Sequence, residues 1–482
     1  MSACRVFKFS LFIRFFVILL QVIFNQCVPD HNADAFRLPY EREFGATNWL
    51  ASYLFDGFTR WDAQYFLHVS LYGYTHENTL AFFPLFPKLL RDFSGLVSII
   101  PLDLSPLNWT IVSGVVINLL LASFAAVALY NLTLSVFRSE LFALTSSLLF
   151  CLNPASIFFS ALYSESLFCL LTFSGMWALE VGSVHLALVS FAVSTGVRSN
   201  GILSAGYFVY HFLGQLMNAP INVHRVTPRQ NYALYLITVL KIIGYLLMYS
   251  LPFIGYQVYS YLLYCTSVLT EPVLPEIVVD YVTRNDLKIP SESSKWCFWT
   301  FPMSYSYIQS RYWNVGFLNY YTFKQIPNFL LATPILIIIL VSSAKYFFRN
   351  RRELWHLGLK NRSLYDGCDV YSNPKCFPYF VHVLAATIFS ALFIHIQVLT
   401  RMLCSSSPII YWVAAMAILP TTDRSRFKLQ KEHSYKNWLP GSFQLLKKTF
   451  VRSPVVGKII FCYFLAYFFI GTFLHVNFFP WT

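Results

Sequence analysis

Charge is scarce in this chain. Only 12% of its 482 residues are Asp, Glu, Lys or Arg, against 56% hydrophobic and 19% aromatic, and one soluble core cannot bury so much apolar surface. An ordinary soluble globular fold is excluded, and a polytopic, all-α membrane protein is expected. Acids are scarcer than bases, 22 against 35, for a formal net charge of +13. The bases fall in short clusters between apolar runs, as the loop charges of membrane proteins do, so nucleic acid is not an expected partner. Ten cysteines are present, with no CxxC and no Cys/His ligand spacing. Neither a disulfide framework nor a zinc site is indicated, and cysteines within apolar segments, such as Cys151, Cys169, Cys265 and Cys462, read as small packing residues. The chain also lacks an internal repeat, a low-complexity tract, a P-loop, a dinucleotide fingerprint, a nucleophile elbow and an HExxH pair.

What it has instead is a succession of apolar runs. The first, residues 7–24, follows Arg5 and Lys8 and lacks a small-residue cleavage site. With Arg14 inside it and Gln21, Asn25 and Gln26 at its end, a retained first helix is expected rather than a cleaved signal. Further runs lie near 110–131, 140–153, 165–182, 184–197, 201–217, 232–265, 329–348, 378–395, 408–420 and 458–474, about eleven spans in all by hydropathy. With the N-terminus cytoplasmic, alternate loops around Arg138, Arg225 and Arg229, Lys345 to Lys375 and Arg424 to Lys458 collect most of the 35 basic residues, as short cytoplasmic loops should. That orientation sends the polar, aromatic segments 29–108, 153–165, 270–328 and 395–407, and the turn at 198–201, to the opposite face. The expected organisation is one integral membrane domain, 1–482, with a first non-cytoplasmic loop at 28–108 and a large one at 266–328. Sequons at Asn108, Asn131 and Asn361 do not settle topology, because the last two map to the cytoplasmic side, and they read as chance matches.

The stretch 55–91, FDGFTRWDAQYFLHVSLYGYTHENTLAFFPLFPKLLR, sets Asp56, Arg60, Asp62, His68, His76 and Glu77 among aromatics beside membrane spans. A linker would hold fewer aromatics and a span fewer charges. A carboxylate desolvated there, Asp56 or Asp62, can act as a general base toward a hydroxyl. The competing reading is structural: Asp62 paired with Arg60, or Asp56 capping a short helix. Arg198 and Asn200 in VRSNG sit at a membrane border, where a guanidinium either holds a phosphate bidentately or snorkels. His395, Gln397 and Arg401 in HIQVLTR converge only if the helix breaks. Glu165 is either a buried partner for an arginine or a ligand-site residue. The segment RYWNVGFLNYY, with Asn314, is at minimum an interfacial aromatic belt and alternatively a sugar platform. No DxD pair or His/acid cluster lies on the far face, so neither a protein-bound metal nor a cofactor is expected.

The motifs RWDAQYF, AFFPLFP, NPASIFFSALYSES, GVRSNG, NVGFLNYY with QIPNFLLATP, and HIQVLTR followed by SSSPIIYW occur in this order over nearly the whole chain. Together they resemble the PIG-V family, which adds the second mannose in GPI-anchor assembly. The resemblance implies a GT-C type glycosyltransferase of the endoplasmic reticulum membrane with a lumenal active site. Such an enzyme moves mannose from dolichyl phosphate mannose to the 6-hydroxyl of the first mannose of a GPI precursor, forming an α-1,6 linkage with inversion. It implies Asp62 as the base with Asp56 second; Arg198, His395 and Arg401 at the departing phosphate; and Trp61, Asn200, Asn314 and Gln397 at substrate polar groups. Expected partners are the donor, the glycolipid acceptor and the bilayer, together with a small accessory membrane subunit as in fungal relatives. A transporter or scramblase of an amphipathic substrate is the alternative from another class. Transporters favour internal repeats and midplane charges, whereas here the ionisable residues gather at one face.

Overall fold

The structure, a computed structural model, describes residues 2–40, 45–217, 228–269, 274–290, 292–359, 369–419 and 438–481. Among these residues every regular element is helical. Helix α1 (Ser2–Cys27) is followed by a first insertion holding α2 (Ala46–Phe55), α3 (Asp62–Tyr72) and α4 (Leu85–Val97), and then by the long α5 (Pro106–Phe137). Four shorter helices come next, α6 (Glu140–Cys151), α7 (Glu165–Glu180), α8 (Val184–Val197) and α9 (Ala205–Met217), and lead to α10 (Pro228–Cys265). A second insertion holds α11 (Glu276–Arg284) and α12 (Ser304–Trp313). The rest comprises α13 (Ile326–Arg349), the single turn α14 (Arg351–Leu354), α15 (Phe377–Phe393), the pair α16 (Ile396–Ser406) and α17 (Ile409–Ile418), α18 (Trp438–Arg452) and α19 (Val455–Val476).

Local chemistry sets these boundaries. Ser105 caps α5 by accepting from the Asn108 amide at 3.2 Å, with Pro106 in the first turn, and Arg138 closes it in the left-handed conformation. Ser139 caps α6 in the same way, since a hydroxyl satisfies an amide that has no intrahelical partner. The prolines of AFFPLFP act at an N-terminus: Pro84 precedes α4 and Pro87 falls in its first turn. Helix α5, apolar on all sides, forms the centre, and α1, α4, α6 and α7 pack around it.

Among the described residues six helices are long and apolar enough to span a membrane: α1, α5, α13 with its preceding turn, α15 with its preceding turn, α19 and the 235–265 part of α10. The α16/α17 pair, bent by 79°, makes a seventh if taken as one span. The chain is thus a multi-pass membrane protein, but the expected eleven spans are not matched. Helices α6 and α8, of 12 and 14 residues, reach only about 18–21 Å at 1.5 Å per residue, short of the ~30 Å hydrocarbon layer. A hydropathy window sees their composition and not their length. The Asn361 sequon and the basic positions Arg225, Lys360, Arg362 and Arg424 to Lys436 lie outside the described residues. Asn108 is buried and donates to Asn48 Oδ1 at 2.8 Å.

The two insertions are fastened to each other. The buried Glu77 carboxylate accepts from Trp296 Nε1 at 2.7 Å and from Tyr312 Oη at 2.9 Å, and its amide donates to Lys288 O. Cys265, at the end of α10, forms a disulfide with Cys297, 32 residues later and beside Trp296. This corrects the sequence reading of Cys265 as a packing residue. Spacing alone cannot announce a pair that only the return of the chain brings within a Cα separation of 5.5 Å. The bond suits an oxidising compartment. Next to Glu77, His68 Nε2 and His76 Nδ1 share the Thr75 hydroxyl at 2.7 and 2.9 Å, enclosed by Phe36, Tyr72 and Tyr281. Burial pushes His68 down to about 3 and His76 well below its ordinary value.

Two outcomes are expected. Alkylation of the unreduced protein should spare Cys265 and Cys297 in peptide mass analysis, and replacing both with serine should cost about 2–4 kcal/mol of stability. Because the unfolded chain binds protons to His68 and His76 below about pH 6.5 while the folded chain does not, stability is complete above that pH and falls as acid is added. Melting curves from pH 7 to 5 should show this loss, and His68→Gln should shrink it by about 2 kcal/mol at pH 5.

Candidate active site

A cavity of about 980 Å³ opens where α3, α12 and α16 converge, next to the segment before α7, the turn after α8 and the segment after α19. Asp62, Arg198 and Arg401 line it, and Glu165, enclosed behind them, completes a set of four side chains of alternating charge. Asp62 stands in the first turn of α3, where the helix N-terminus favours an anion. Arg401 Nη2 of α16 donates to Asp62 Oδ2 at 2.6 Å, and Nη1 lies 3.8 Å from Glu165 Oε1 of α7. Arg198, after α8, brings Nη1 to 2.5 Å from the same Glu165 oxygen and donates to Ser164 Oγ at 3.3 Å. Glu165 is fully buried, whereas the Asp62 carboxylate remains 30% exposed beside the cavity. The Arg401 guanidinium also lies over the rings of Phe158 and Tyr163 at 5.3 and 5.4 Å. Tyr163 Oη accepts from the Asp62 amide and donates to Arg60 O, which fixes the start of α3.

Each sequence candidate now has a place. Asp62, Trp61, Arg198, Asn200, His395, Gln397 and Arg401 all line the cavity. The helix break expected within HIQVLTR is not needed: His395 at the α16 N-cap and Gln397 and Arg401, four apart on the unbroken helix and so on one face, all reach the cavity, and the His395 ring stacks on Tyr320 at 4.5 Å. Burial holds the His395 imidazole below its ordinary value, so it enters as a neutral hydrogen-bonding group and the positive charge rests with the arginines. Asp56 is not among the lining residues. It pairs with Arg60 at 3.0 Å, four residues on, and Arg60 also reaches Asp30 at 3.0 Å. The Asp62 to Arg60 pair weighed from sequence does not form, because Arg60 turns away to Asp56. Asn314 also falls outside the cavity wall, closing α12 with a left-handed φ of 51°. Trp61 adopts φ 57° and ψ −126°, a conformation costing a non-glycine residue about 1–3 kcal/mol and concentrated at functional sites.

Sequence reasoning passed over His475 and Trp481, both of which line the cavity. The available signals were a histidine inside an otherwise apolar last span and an indole just beyond it. Glu165, open between two readings, is the shared partner of both arginines. Among the described residues no group of three or more His, Cys, Asp or Glu side chains is placed to hold a metal ion.

Likeness to known proteins extends over the full length of the chain. The family model described as Mannosyltransferase (PIG-V) matches residues 3–482. A mouse protein named GPI alpha-1,6-mannosyltransferase 2 is 36% identical over 501 residues, covering 100% of this chain and 99% of its own. The human protein of that name is 35% identical over 507 residues, with the same coverage. GPI mannosyltransferase 2 of Drosophila melanogaster is 32% identical over 495 residues, covering 99% of each chain. Among solved structures, an archaeal oligosaccharyltransferase from Archaeoglobus fulgidus, in complex with an inhibitory peptide and a dolichol-phosphate, aligns with a TM-score of 0.45 at 11% identity. The alignment covers 96% of this chain and 56% of that one. A family match from residue 3 to residue 482, with relatives aligned end to end, shows that the chain belongs to the PIG-V mannosyltransferase family.

Proposed function

We propose that this protein transfers mannose from dolichyl phosphate mannose to the 6-hydroxyl of the first mannose of a GPI-anchor precursor, forming an α-1,6 linkage with inversion. The observation that carries this reading is the full-length likeness to proteins named for that α-1,6 transfer. The cavity supports it: one acid and two arginines share a wall of a space large enough for two sugars. In this reading the site faces the lumen of the endoplasmic reticulum, which the Cys265–Cys297 bond of the second insertion suits.

The reaction needs one base and one stabilised leaving group. The acceptor O6 attacks C1 of the donor mannose from the face opposite the phosphate, its proton passes to Asp62, and the C1–O bond breaks with its electron pair going to the phosphate. Arg198 and Arg401 take up the developing phosphate charge, Arg401 bridging base and leaving group. Glu165 keeps the two guanidinium groups together before donor binds. When Asp62 accepts the proton its hold on Arg401 weakens, so positive field grows at the phosphate as its negative charge develops. Trp61, Asn200, Gln397 and neutral His395 orient hydroxyls around this axis. Asp56, held by Arg60 away from the cavity wall, ranks second as the base.

Transfer from dolichyl phosphate mannose, measured in membranes with variants at matched abundance, tests these roles. Asp62→Asn should lower kcat by about 10²–10⁴, and full activity would remove it as the base. Asp56→Asn should retain kcat within about tenfold. Arg401→Lys keeps the charge but loses the planar fork, so donor KM should rise about tenfold or more; unchanged donor kinetics would leave Arg401 as a structural partner of Asp62.

A further inference from the structure

Among the described residues, two fully buried indole N–H groups find acceptors. Trp296 donates to Glu77 and Trp412 to Thr133 Oγ1 at 2.8 Å. Among the described residues, the buried indole nitrogens without an acceptor belong to Trp61 and Trp481, and both residues line the cavity. A buried donor without a partner is costly and rare, and at a cavity wall it points to an acceptor supplied by a ligand.

Trp481 is held in place by contacts that leave this N–H unused. The segment after α19 is pinned by Arg60 Nε and Asn25 Nδ2, which both donate to Val476 O at 3.2 and 3.0 Å, and by the His31 amide, which donates to Asn477 O at 2.8 Å. Phe478, in the left-handed region at φ 59°, lies under the Arg60 guanidinium at 4.8 Å and meets the Trp61 ring edge-on at 5.8 Å. The Trp481 indole rests on Gly471, where any Cβ would strike the ring, and leans on Tyr467 at 5.4 Å. A glycine at 471 clears the space for the indole, which is 92% buried as a result. Trp61 and Trp481 thus both stand on the cavity wall, one braced by Phe478 and the other by Tyr467 and Gly471.

We propose that Trp481 is a substrate-binding residue of this site, its Nε1–H donating to a sugar hydroxyl and its ring facing the sugar C–H surface. The proposal rests on the mannosyl-transfer reading above. Both the donor mannose and the first mannose of the acceptor carry suitable hydroxyls, so the two substrates are separated by experiment. Trp481→Phe keeps an aromatic ring on Gly471 and deletes the N–H. With donor and acceptor varied in turn in the full-length protein, this variant should raise the KM of one of them about five- to tenfold, with kcat within twofold and an unchanged melting temperature. The substrate whose KM moves is the one Trp481 holds. KM values within twofold of wild type for both substrates would overturn the proposal. If Trp481→Phe loses stability, the wild-type protein carrying ¹⁵N-indole offers a second readout. The Trp481 Nε1–H resonance, assigned with the variant Trp481→Tyr, should shift on addition of dolichyl phosphate mannose or of the acceptor glycolipid. No shift with either would equally overturn it. A wild-type protein that transfers no mannose would sink the underlying reading instead.

Discussion

Glu165 is a carboxylate with no access to water, and the site depends on how that charge is matched. Left alone in a low-dielectric interior it would be too costly to keep ionised. Arg198 and Arg401 meet it from two further elements, and Asp62 meets Arg401 from a third, so four charges of alternating sign bind α3, α7, α16 and the turn after α8 into one wall. The set is neutral as it stands. Removing any member leaves a neighbour uncompensated, so these positions stand or fall together in stability and not only in chemistry. The arrangement also explains how a membrane protein keeps two arginines beside a cavity without bound substrate: their charge is held in reserve by an acid that cannot leave.

Around this wall the irregular segments are braced rather than merely draped. Glu77 ties the two insertions through Trp296 and Tyr312, the Cys265–Cys297 bond shortens the second insertion, and Arg60 clasps the first insertion to the segment after the last helix. Sites on loops lose precision unless such secondary contacts fix them. Two of these braces meet the lining directly: Tyr312 is itself a lining residue, next to Trp313, and Arg60 and Val476 adjoin the lining residues Trp61 and His475.

Much of this was legible in the sequence, for identifiable reasons. The helical membrane class follows from composition, and the polar, aromatic stretch 55–91 declared itself because charge is so rare elsewhere in the chain. Periodicity at HIQVLTR was misjudged: no break is needed to converge His395, Gln397 and Arg401, since Gln397 and Arg401 are four apart and share a face of unbroken α16, with His395 at its N-cap. What could not be read is long-range or metric. Asp62 and Arg401 lie 339 residues apart, Cys265 finds Cys297 only through folding, and apolar runs of 12 and 14 residues look like spans until their length is counted. Whether Arg60 would pair with Asp56 or Asp62 turned on which way α3 begins. The signal at Trp481 was weak, because a lone indole beside a membrane ordinarily marks only the interface.

Arg14, midway along α1, is completely enclosed and donates to the carbonyls of Cys151 and Ser156 and to the hydroxyls of Ser156 and Ser160. These acceptors are more than 130 residues downstream. During biosynthesis the first helix therefore enters the membrane carrying a guanidinium with nothing yet to receive it, at a cost of about 2.5–3.5 kcal/mol on insertion scales. Its docking must wait until the turn after α6 has been made. The order of translation thus sets an order of assembly, in which α1 settles only after the turn following α6 has been made.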